Sequence, residues 1–204
     1  IGRAQEVVYP VTNYTTKEYG GNFSPQNWSV VQDQRGIIYA ANAHMLLEFD
    51  GHSWNSYPLN KLSNILSLAT DSTGIIYASS YREFGYFKPD YQTGFKYSSL
   101  SDSLNRNDLE FSTIRYINVF SGGVAFQALE KLFIYKNGKI QVINPATTFH
   151  TSFVVNDLLY VRQRDVGLMI WKDGKLNKIE GSEIFKSTGI FVMLPFGSDG
   201  REIL

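Results

Sequence analysis

Four short polar stretches contain the side chains of this chain that are best suited to bind a ligand. They offer planar amides, an imidazole, a phenol, guanidinium groups, an ammonium group and carboxylates. Amides and arginines form paired hydrogen bonds and aromatic rings present flat apolar faces, so these groups suit carbohydrates or anionic small ligands. The candidate ligand-binding residues are Asn42, His44, Tyr81, Arg82, Glu83, Gln127, Lys131, Gln163, Arg164 and Asp165.

Three of these candidates, Tyr81, Arg82 and Arg164, are expected to contribute most to recognition. The competing interpretation is that all ten positions are polar only because the tips of loops are exposed to water. The two interpretations differ in whether replacing such a residue changes the binding of a ligand.

The sequence shows no motif for catalysis or for metal binding. The chain has no cysteine, and its histidines, His44, His52 and His150, lack the spacing of a metal site. A glycine-rich phosphate loop, a G-x-S-x-G elbow and an H-E-x-x-H helix are also missing from the sequence. We therefore predict no catalytic residue, no metal and no cofactor for this segment.

Composition restricts the partners of the chain. Its 204 residues include 19 basic and 19 acidic side chains, which gives a formal net charge of zero. Without a basic block the segment has no means of neutralising a row of phosphates, so nucleic acid binding through it is not expected. No apolar run approaches the roughly 20 residues that span a bilayer, so membrane contact is expected only through regions outside this sequence.

The elements that must position the candidates belong to a repeated unit. The segment Gly-Ile-Ile-Tyr-Ala occurs at 36–40 and again at 74–78. In each copy, the glycine is also the last residue of a D-x-x-G turn that follows an apolar run. A polar loop and a strand rich in aromatic residues come after the segment. Aspartate caps such a turn and glycine supplies its positive φ, so the recurring Asp33 and Asp71 are explained by turn formation. The unit therefore predicts four short strands, a to d.

Repeats of this kind predict an all-β fold, a β-propeller whose blades each have four antiparallel strands. Residues 1–25 are expected to form an extension that follows a signal peptide, and residues 26–204 a partial propeller of about four and a half blades. We expect residues beyond Leu204 to complete the ring, since propellers usually close with about 4–8 blades. The blades are predicted at about 26–60, 63–104, 107–145 and 148–185, with an incomplete fifth at 187–204.

Aromatic residues in strand b provide the alignment of the units. Their separations are 38, 49 and 34 residues, which bracket the length expected for a four-stranded blade. A β-sandwich also has short strands at regular spacing, but the recurrence of one turn at one place favours the propeller. The three tryptophans are expected to pack between blades. The aligned aromatic residues are Tyr39, Tyr77, Phe126 and Tyr160, and the tryptophans are Trp28, Trp54 and Trp171.

Blade geometry divides the loops between two rims. The a–b and c–d turns are short and stereotyped and lie on one rim. The b–c and d–a loops lie on the other, which we call the b–c rim. All ten candidate residues fall in or beside the b–c loops, so recognition is expected at the b–c rim.

The sequence resembles the two-component-regulator propeller family over residues 14–204. Four features carry the resemblance: Pro-Gln-Asn-Trp at 25–28, the two D-x-x-G turns, Leu-Glu-Phe-Asp-Gly at 47–51 and Glu-Phe-Gly-Tyr-Phe at 83–87. The third and fourth units keep only the N-G and D-G hairpins. The family implies bacterial sensors in which a triple-tyrosine domain, a membrane span and an output module follow the propeller. The output is a histidine kinase or a helix-turn-helix regulator.

This resemblance implies a non-catalytic, ligand-sensing module of a transmembrane signalling or transcription regulator. The module would lie on the periplasmic or extracellular side of a bacterial inner membrane. Its expected ligand is an oligosaccharide or another small molecule, and the full-length receptor is expected to pair as a homodimer. Two alternatives stay open: a carbohydrate-active lyase or hydrolase, and a propeller that binds another protein. The mainly apolar residues of strand a count against an enzyme.

Overall fold

The computed structural model of the protein describes residues 11–20, 24–43, 45–58, 64–197 and 202–203. Within these residues the regular elements are β-strands and two short 3₁₀ turns. The strands form four antiparallel sheets of four strands each and one further pair.

The strands are numbered in chain order. Sheet 1 comprises β1 (Asn27–Gln32), β2 (Ile38–Asn42), β3 (Met45–Phe49) and β4 (Trp54–Pro58). Sheet 2 comprises β5 (Ser67–Thr70), β6 (Ile76–Ser80), β7 (Glu83–Asp90) and β8 (Gly94–Ser99). Sheet 3 comprises β9 (Tyr116–Phe120), β10 (Gly123–Gln127), β11 (Leu132–Lys136) and β12 (Lys139–Ile143). Sheet 4 comprises β13 (Phe149–Val155), β14 (Leu158–Gln163), β15 (Gly167–Lys172) and β16 (Lys175–Lys178). The further pair is β17 (Pro195–Phe196) with β18 (Glu202–Ile203), and the 3₁₀ turns are Ser101–Ser103 and Ser182–Phe185.

The four sheets are arranged as the blades of a propeller. In every sheet the strands pair in chain order, each antiparallel to the next. The first strands of consecutive sheets are neighbours, because β1 lies beside β5, β5 beside β9 and β9 beside β13. Sheets that meet through their first strands radiate from a common centre, which is the propeller architecture. The predicted fold class, an all-β partial propeller of four-stranded antiparallel blades, is confirmed.

The D-x-x-G turns between the first two strands are built around their aspartates. Asp71 Oδ1 accepts hydrogen bonds from the backbone N–H groups of Thr73 at 2.8 Å and Ile75 at 3.2 Å. Its Oδ2 accepts a bond of 2.9 Å from the Tyr77 hydroxyl. Asp33 is the acceptor in the equivalent turn of sheet 1. One carboxylate thus fixes both the turn and the aromatic residue that begins the inter-sheet core.

Replacing Asp71 with alanine is expected to lower the free energy of unfolding by about 2 kcal/mol at pH 7, because the part-buried Tyr77 hydroxyl loses its charged acceptor. Burial opposes ionisation of Asp71, but the bonds from Thr73, Tyr77 and Ile75 outweigh it and hold the carboxyl pKa below its ordinary 3.8. A depressed pKa stabilises the fold above the unfolded-state value, and this contribution is lost as the pH falls through the folded-state value.

Urea unfolding as a function of pH tests this expectation. The difference between the wild type and Asp71→Ala should be constant above about pH 5 and should shrink below about pH 4. Tyr77→Phe removes only the phenol bond and should cost about 1 kcal/mol. A difference between wild type and Asp71→Ala that stays the same at all pH values would contradict the role given to the carboxylate.

Second-strand residues alternate between the cores on either side of their sheet. Tyr39 of β2 packs with Ile76 and Phe87 of sheet 2. Tyr77 of β6 in turn contacts Phe126 of β10, with ring centroids 6.1 Å apart. Apolar side chains therefore fill each space between neighbouring sheets, and the cores of the molecule lie there.

The predicted alignment of Phe126 with Tyr39 and Tyr77 is wrong by one residue. Phe126 belongs to the core between sheets 2 and 3, whereas Ala125 packs with Leu159 in the core between sheets 3 and 4. A shift of one residue turns a strand side chain to the opposite face. Ala125 is therefore the structural counterpart of the two tyrosines, and Phe126 packs against one of them.

The tryptophans divide into two groups. Trp171 packs against the core between sheets 3 and 4, as expected. Trp54 stacks on Phe49, with centroids 4.7 Å apart, and packs with Tyr19 on the other face of sheet 1. Trp28 is 54% exposed, so the expectation that it packs between blades is wrong.

Candidate functional site

The b–c rim combines the loops between second and third strands with the connections that lead into the first strands. In sheet 2 the Arg82 N–H donates to the Ser112 carbonyl at 2.9 Å, and in sheet 4 the Arg164 N–H donates to the Thr148 carbonyl at 2.9 Å. Each bond joins a b–c loop to such a connection. The D-x-x-G turns lie at the opposite ends of the same strands. The candidate residues that the structure describes therefore lie at one rim.

Asn42 ends strand β2 and is fully buried. Its Nδ2 donates to the carbonyls of Ser24 at 2.8 Å and Gln26 at 3.1 Å, and to Oδ1 of Asn27 at 2.8 Å. This amide holds the entry of sheet 1 against its second strand, which is a structural task. His44, the other candidate in this loop, lies outside the described residues.

The loop of sheet 2 presents its candidates to solvent. The Tyr81 side chain is 61% exposed. Arg82 has a φ of +53°, and its Nη2 donates to the Leu109 carbonyl at 3.0 Å. Glu83 accepts a bond of 2.9 Å from Tyr97, and burial together with this carboxylate raises the pKa of the Tyr97 phenol far above its usual range. Tyr81 and Arg82 are thus accessible, while Glu83 is already engaged.

Gln127 and Lys131 flank the loop of sheet 3. Both amide atoms of Gln127 are buried and have no hydrogen-bond partner in the described part of the chain. Lys131 Nζ donates to Asn144 Oδ1 at 3.1 Å and lies 3.8 Å from a carboxylate oxygen of Asp108. A buried amide without partners costs free energy. Gln127 is therefore short of partners, whereas Lys131 is satisfied within the fold.

The loop of sheet 4 contains the last three candidates. Gln163 is buried, whereas Arg164 and Asp165 are exposed. The Asp165 N–H donates to the Lys186 carbonyl at 3.2 Å, which ties this loop to the connection after the sheet. The loop is thus held on both sides, and the Arg164 side chain is presented to solvent.

A group of basic residues gathers around this last loop, and we call it the basic cluster. Its most buried member is Arg162, which is 4% exposed. The Nε and Nη2 of Arg162 donate to the carbonyls of Phe185 at 3.0 Å and Lys186 at 2.8 Å. These bonds fix the guanidinium plane, and no carboxylate of the described residues forms an ion pair with it within 4.0 Å. The members of the basic cluster are Arg115, His150, Arg162 and Arg164.

Backbone register brings three members together in sheet 4. Arg162 of β14 pairs with Thr151 of β13, and the strand is irregular at His150, the residue before Thr151. The Arg164 N–H bonds to Thr148, two residues before His150. His150 therefore lies between the attachment points of the two arginines.

Arg115 reaches the cluster from sheet 3. It directly precedes β9, and its N–H donates to the Gln127 carbonyl at 2.7 Å. Asn118 Nδ2 donates to Ser152 Oγ at 2.7 Å, which fixes β9 beside β13. Both strands start from the b–c rim, so the beginning of β9 lies beside the beginning of β13.

The charges of the basic cluster act on one another. Burial lowers the pKa of His150, and the positive charges of Arg162, Arg164 and Arg115 lower that pKa further. Burial and Arg164 likewise lower the pKa of Arg162, while Asp165 acts in the opposite direction. Among the described residues, no carboxylate forms an ion pair with any of the three arginines within 4.0 Å.

Of these four residues, the sequence pattern predicts only Arg164 as a binding residue. His150 and Arg115 stand in no recognisable motif, since His150 lacks the spacing of a metal site and Arg115 precedes an apolar strand. The available signal was Arg162, a charged residue inside the apolar run Leu-Leu-Tyr-Val-Arg-Gln at 158–163. Charged residues are almost never fully buried unless paired, so such a position indicates a special role.

An apolar cleft of about 900 Å³ occupies the outer face of sheet 4 and is lined in part by Tyr160, Leu168 and Ile170. Tyr160 and Leu168 hold the positions at which Tyr77 and Phe84 of sheet 2 pack on the following sheet. This cleft therefore lies on the face of sheet 4 that corresponds to the face of sheet 2 packed against sheet 3.

The described residues contain no group of three or more histidine, aspartate and glutamate side chains arranged to hold a metal ion. None of their helical segments has the length and apolar character needed to cross a membrane.

Sequence comparisons and structural comparisons give different results. No family model matches the chain, and no curated protein is significantly similar to it in sequence. Solved structures do share its fold. The extracellular domain of one hybrid two-component system of B. thetaiotaomicron has a TM-score of 0.58 at 18% identity, over 93% of this chain and 28% of that chain. A second such domain from B. thetaiotaomicron has a TM-score of 0.61 at 13% identity, over 84% and 24%.

An enzyme shares the fold as well. Virginiamycin B lyase from Staphylococcus aureus has a TM-score of 0.59 at 13% identity, over 79% of this chain and 59% of the lyase. The chain thus spans less than two thirds of each of these proteins. At such identities the likeness establishes the fold, and the extracellular domains agree with the family resemblance indicated by the sequence motifs.

Proposed function

We propose that this chain is part of the extracytoplasmic propeller of a bacterial transmembrane regulator, and that it binds a ligand at the b–c rim without catalysis. The observation that carries the proposal is the contrast between the rims. The b–c rim has an exposed Tyr81 and arginines that form no ion pair with a carboxylate among the described residues, whereas the D-x-x-G turns opposite are satisfied internally. The two extracellular domains of similar fold support the extracytoplasmic location.

The finer parts of the proposal concern ligand and assembly. The ligand is an oligosaccharide or another small molecule, and Tyr81, Arg82 and Arg164 contact it. Residues 26–204 form the propeller part and residues 1–25 an extension that follows a signal peptide. The full-length receptor works as a homodimer and passes the signal to a kinase or a helix-turn-helix module.

A thermal-shift screen of the purified chain against neutral and acidic oligosaccharides tests this proposal. A ligand present at about 100 times its Kd stabilises the folded state by about 2.7 kcal/mol, so its Tm rises by several degrees. Arg82→Ala should abolish the shift, and Tyr81→Ala should weaken binding about tenfold through the loss of its ring. Tyr91 is an exposed tyrosine in the c–d turn of sheet 2, on the opposite rim, so the control variant Tyr91→Ala should bind the ligand as the wild type does. Equal shifts in all three variants would contradict the proposed site.

The alternative function is that of a carbohydrate-active lyase or hydrolase. The same fold occurs in an enzyme, virginiamycin B lyase, so the fold by itself does not decide between binding and catalysis. Incubating the same oligosaccharides with the chain and analysing them by mass spectrometry separates the two functions. We expect each oligosaccharide to be recovered unchanged. The appearance of shorter or unsaturated products would replace the sensing function by a catalytic one.

A further inference from the structure

One position of the repeat departs from what the fold requires. Near the b–c rim, one position of the second strand pairs with an equivalent residue of the third strand in every sheet. The pairs are Ala41–Leu46, Ser79–Phe84, Gln127–Leu132 and Arg162–Leu168. Sheets 1 and 2 fill this position with a small side chain. Neither of these two sheets has a long cationic side chain there, so the pairing of the blade strands does not by itself require Arg162.

The surroundings of Arg162 hold its guanidinium in place without neutralising it. Two backbone carbonyls, of Phe185 and Lys186, accept from its Nε and Nη2. Carbonyl oxygens satisfy donors, but a buried charge also needs a counter-charge to offset its desolvation. An arginine fixed in this way is preorganised to receive an oxyanion with its remaining N–H groups.

The other charges around Arg162 reinforce a positive field. Arg164 lies two residues after Arg162 and is exposed, and Arg115 lies directly before β9 of the neighbouring sheet 3. Two carboxylates act against this field, Asp165 on Arg162 and Glu130 on Arg115. Glu130 accepts bonds from the N–H and hydroxyl of Ser112 at 3.2 and 3.0 Å, and Asp165 is exposed at the loop tip.

We infer that the basic cluster binds an oxyanion of the ligand, a carboxylate, sulfate or phosphate group, with Arg162 and Arg164 as direct donors. Arg115 adds attraction from the neighbouring sheet. This inference rests on the proposed function in placing the ligand at the b–c rim, and it adds that the ligand is acidic.

Binding measurements with matched acidic and neutral probes test the inference. The probes are trigalacturonate, a sulfated chondroitin disaccharide and inorganic phosphate, with galactotriose as the neutral counterpart. Each is titrated into the purified chain by calorimetry and thermal shift. We expect at least one acidic probe to bind at least ten times more tightly than galactotriose. We also expect its affinity to fall as NaCl is raised, because salt screens the attraction of exposed charges. Tight binding of trigalacturonate would identify a carboxylate and tight binding of inorganic phosphate a phosphate group. The chondroitin disaccharide carries a carboxylate as well as a sulfate, so it indicates sulfate only if it binds more tightly than trigalacturonate.

Three charge-removing variants provide the decisive comparison. Arg164→Gln keeps a polar side chain at an exposed position, so the fold should be intact, and it should weaken binding of the acidic probe at least tenfold. Lys175→Gln removes one charge from the start of β16, directly after the c–d turn of sheet 4 on the opposite rim, and should leave the affinity unchanged. Arg162→Met should weaken binding further, and its Tm shows whether the fold has survived.

The inference would be overturned by no binding of any acidic probe, by equal binding of galactotriose, or by equal losses in Arg164→Gln and Lys175→Gln. Binding of a neutral oligosaccharide that disappears in Tyr81→Ala but persists in Arg164→Gln would also overturn it. That last result would leave the proposed sensing function intact, so the two failures are distinguishable.

Discussion

Replacing Phe84 with alanine is expected to lower the free energy of unfolding by about 3–5 kcal/mol. Phe84 is 0% exposed and lies at the centre of the core between sheets 2 and 3. Its ring centroid is 4.7 Å from that of Phe126, 4.8 Å from that of Phe133 and 5.9 Å from that of Phe111. The truncation removes the buried ring and its aromatic contacts, and leaves a cavity that the stiff sheets cannot close. Urea unfolding followed by fluorescence or circular dichroism measures the loss.

Two companion variants show whether the loss comes from packing. Phe84→Leu retains much of the buried volume and should cost clearly less than Phe84→Ala. Tyr91→Ala removes a fully exposed ring and should stay within about 0.5 kcal/mol of the wild type. If Phe84→Ala were no more destabilising than Tyr91→Ala, the inter-sheet cores would not be what holds the blades together.

The sequence was sufficient to predict the blades because their turns are chemically explicit. A D-x-x-G turn needs an aspartate and a glycine at fixed places, and sheets 1 and 2 have both, with Asp33 and Asp71 bonding as the motif requires. The third unit has Ser-Gly-Gly instead, so the turn no longer fixes the register there. The sequence alignment therefore matches Tyr39 and Tyr77 with the aromatic Phe126, which lies on the opposite face of its strand. The residue in the equivalent position is the neighbouring Ala125, whose small side chain carries no recognisable signal.

The candidate site was less predictable, because the polarity of a residue does not reveal its partners. Asn42 and Lys131 have the side chains of ligand-binding residues, but the amide nitrogen of Asn42 and the ammonium group of Lys131 bind groups of the protein that are distant in sequence. The basic cluster draws on residues at 115, 150, 162 and 164, and only the pairing of β13 with β14 and the adjacency of β9 bring them together. The sequence could mark the b–c rim, and the tertiary contacts decided which of its residues remain available to a ligand.

The Glu-Phe-Gly-Tyr-Phe motif contains the glycine for which we expect the second large effect. Gly85 of β7 lies so close to β8 that a Cβ atom would stand 2.2 Å from the backbone carbonyl oxygen of Ser98 and 2.7 Å from the Tyr97 hydroxyl. The Ser98 oxygen is a backbone atom, so this clash can be relieved only if the paired strands β7 and β8 move apart. Gly85→Ala is therefore expected to cost about 3 kcal/mol, at the upper end of the range for overpacking.

A second glycine separates this close approach from ordinary backbone strain. Gly138 has a φ of +76° and no atom within 4 Å of an added Cβ, so Gly138→Ala meets strain alone and should cost about 1–2 kcal/mol. Urea unfolding of both variants gives the comparison, and hydrogen exchange across β7 and β8 should increase only in Gly85→Ala. Equal costs, with unchanged exchange at β8, would mean that the strands can part freely. In that case the glycine of this motif would not be required by the spacing of the blade, and its presence would need a different physical reason.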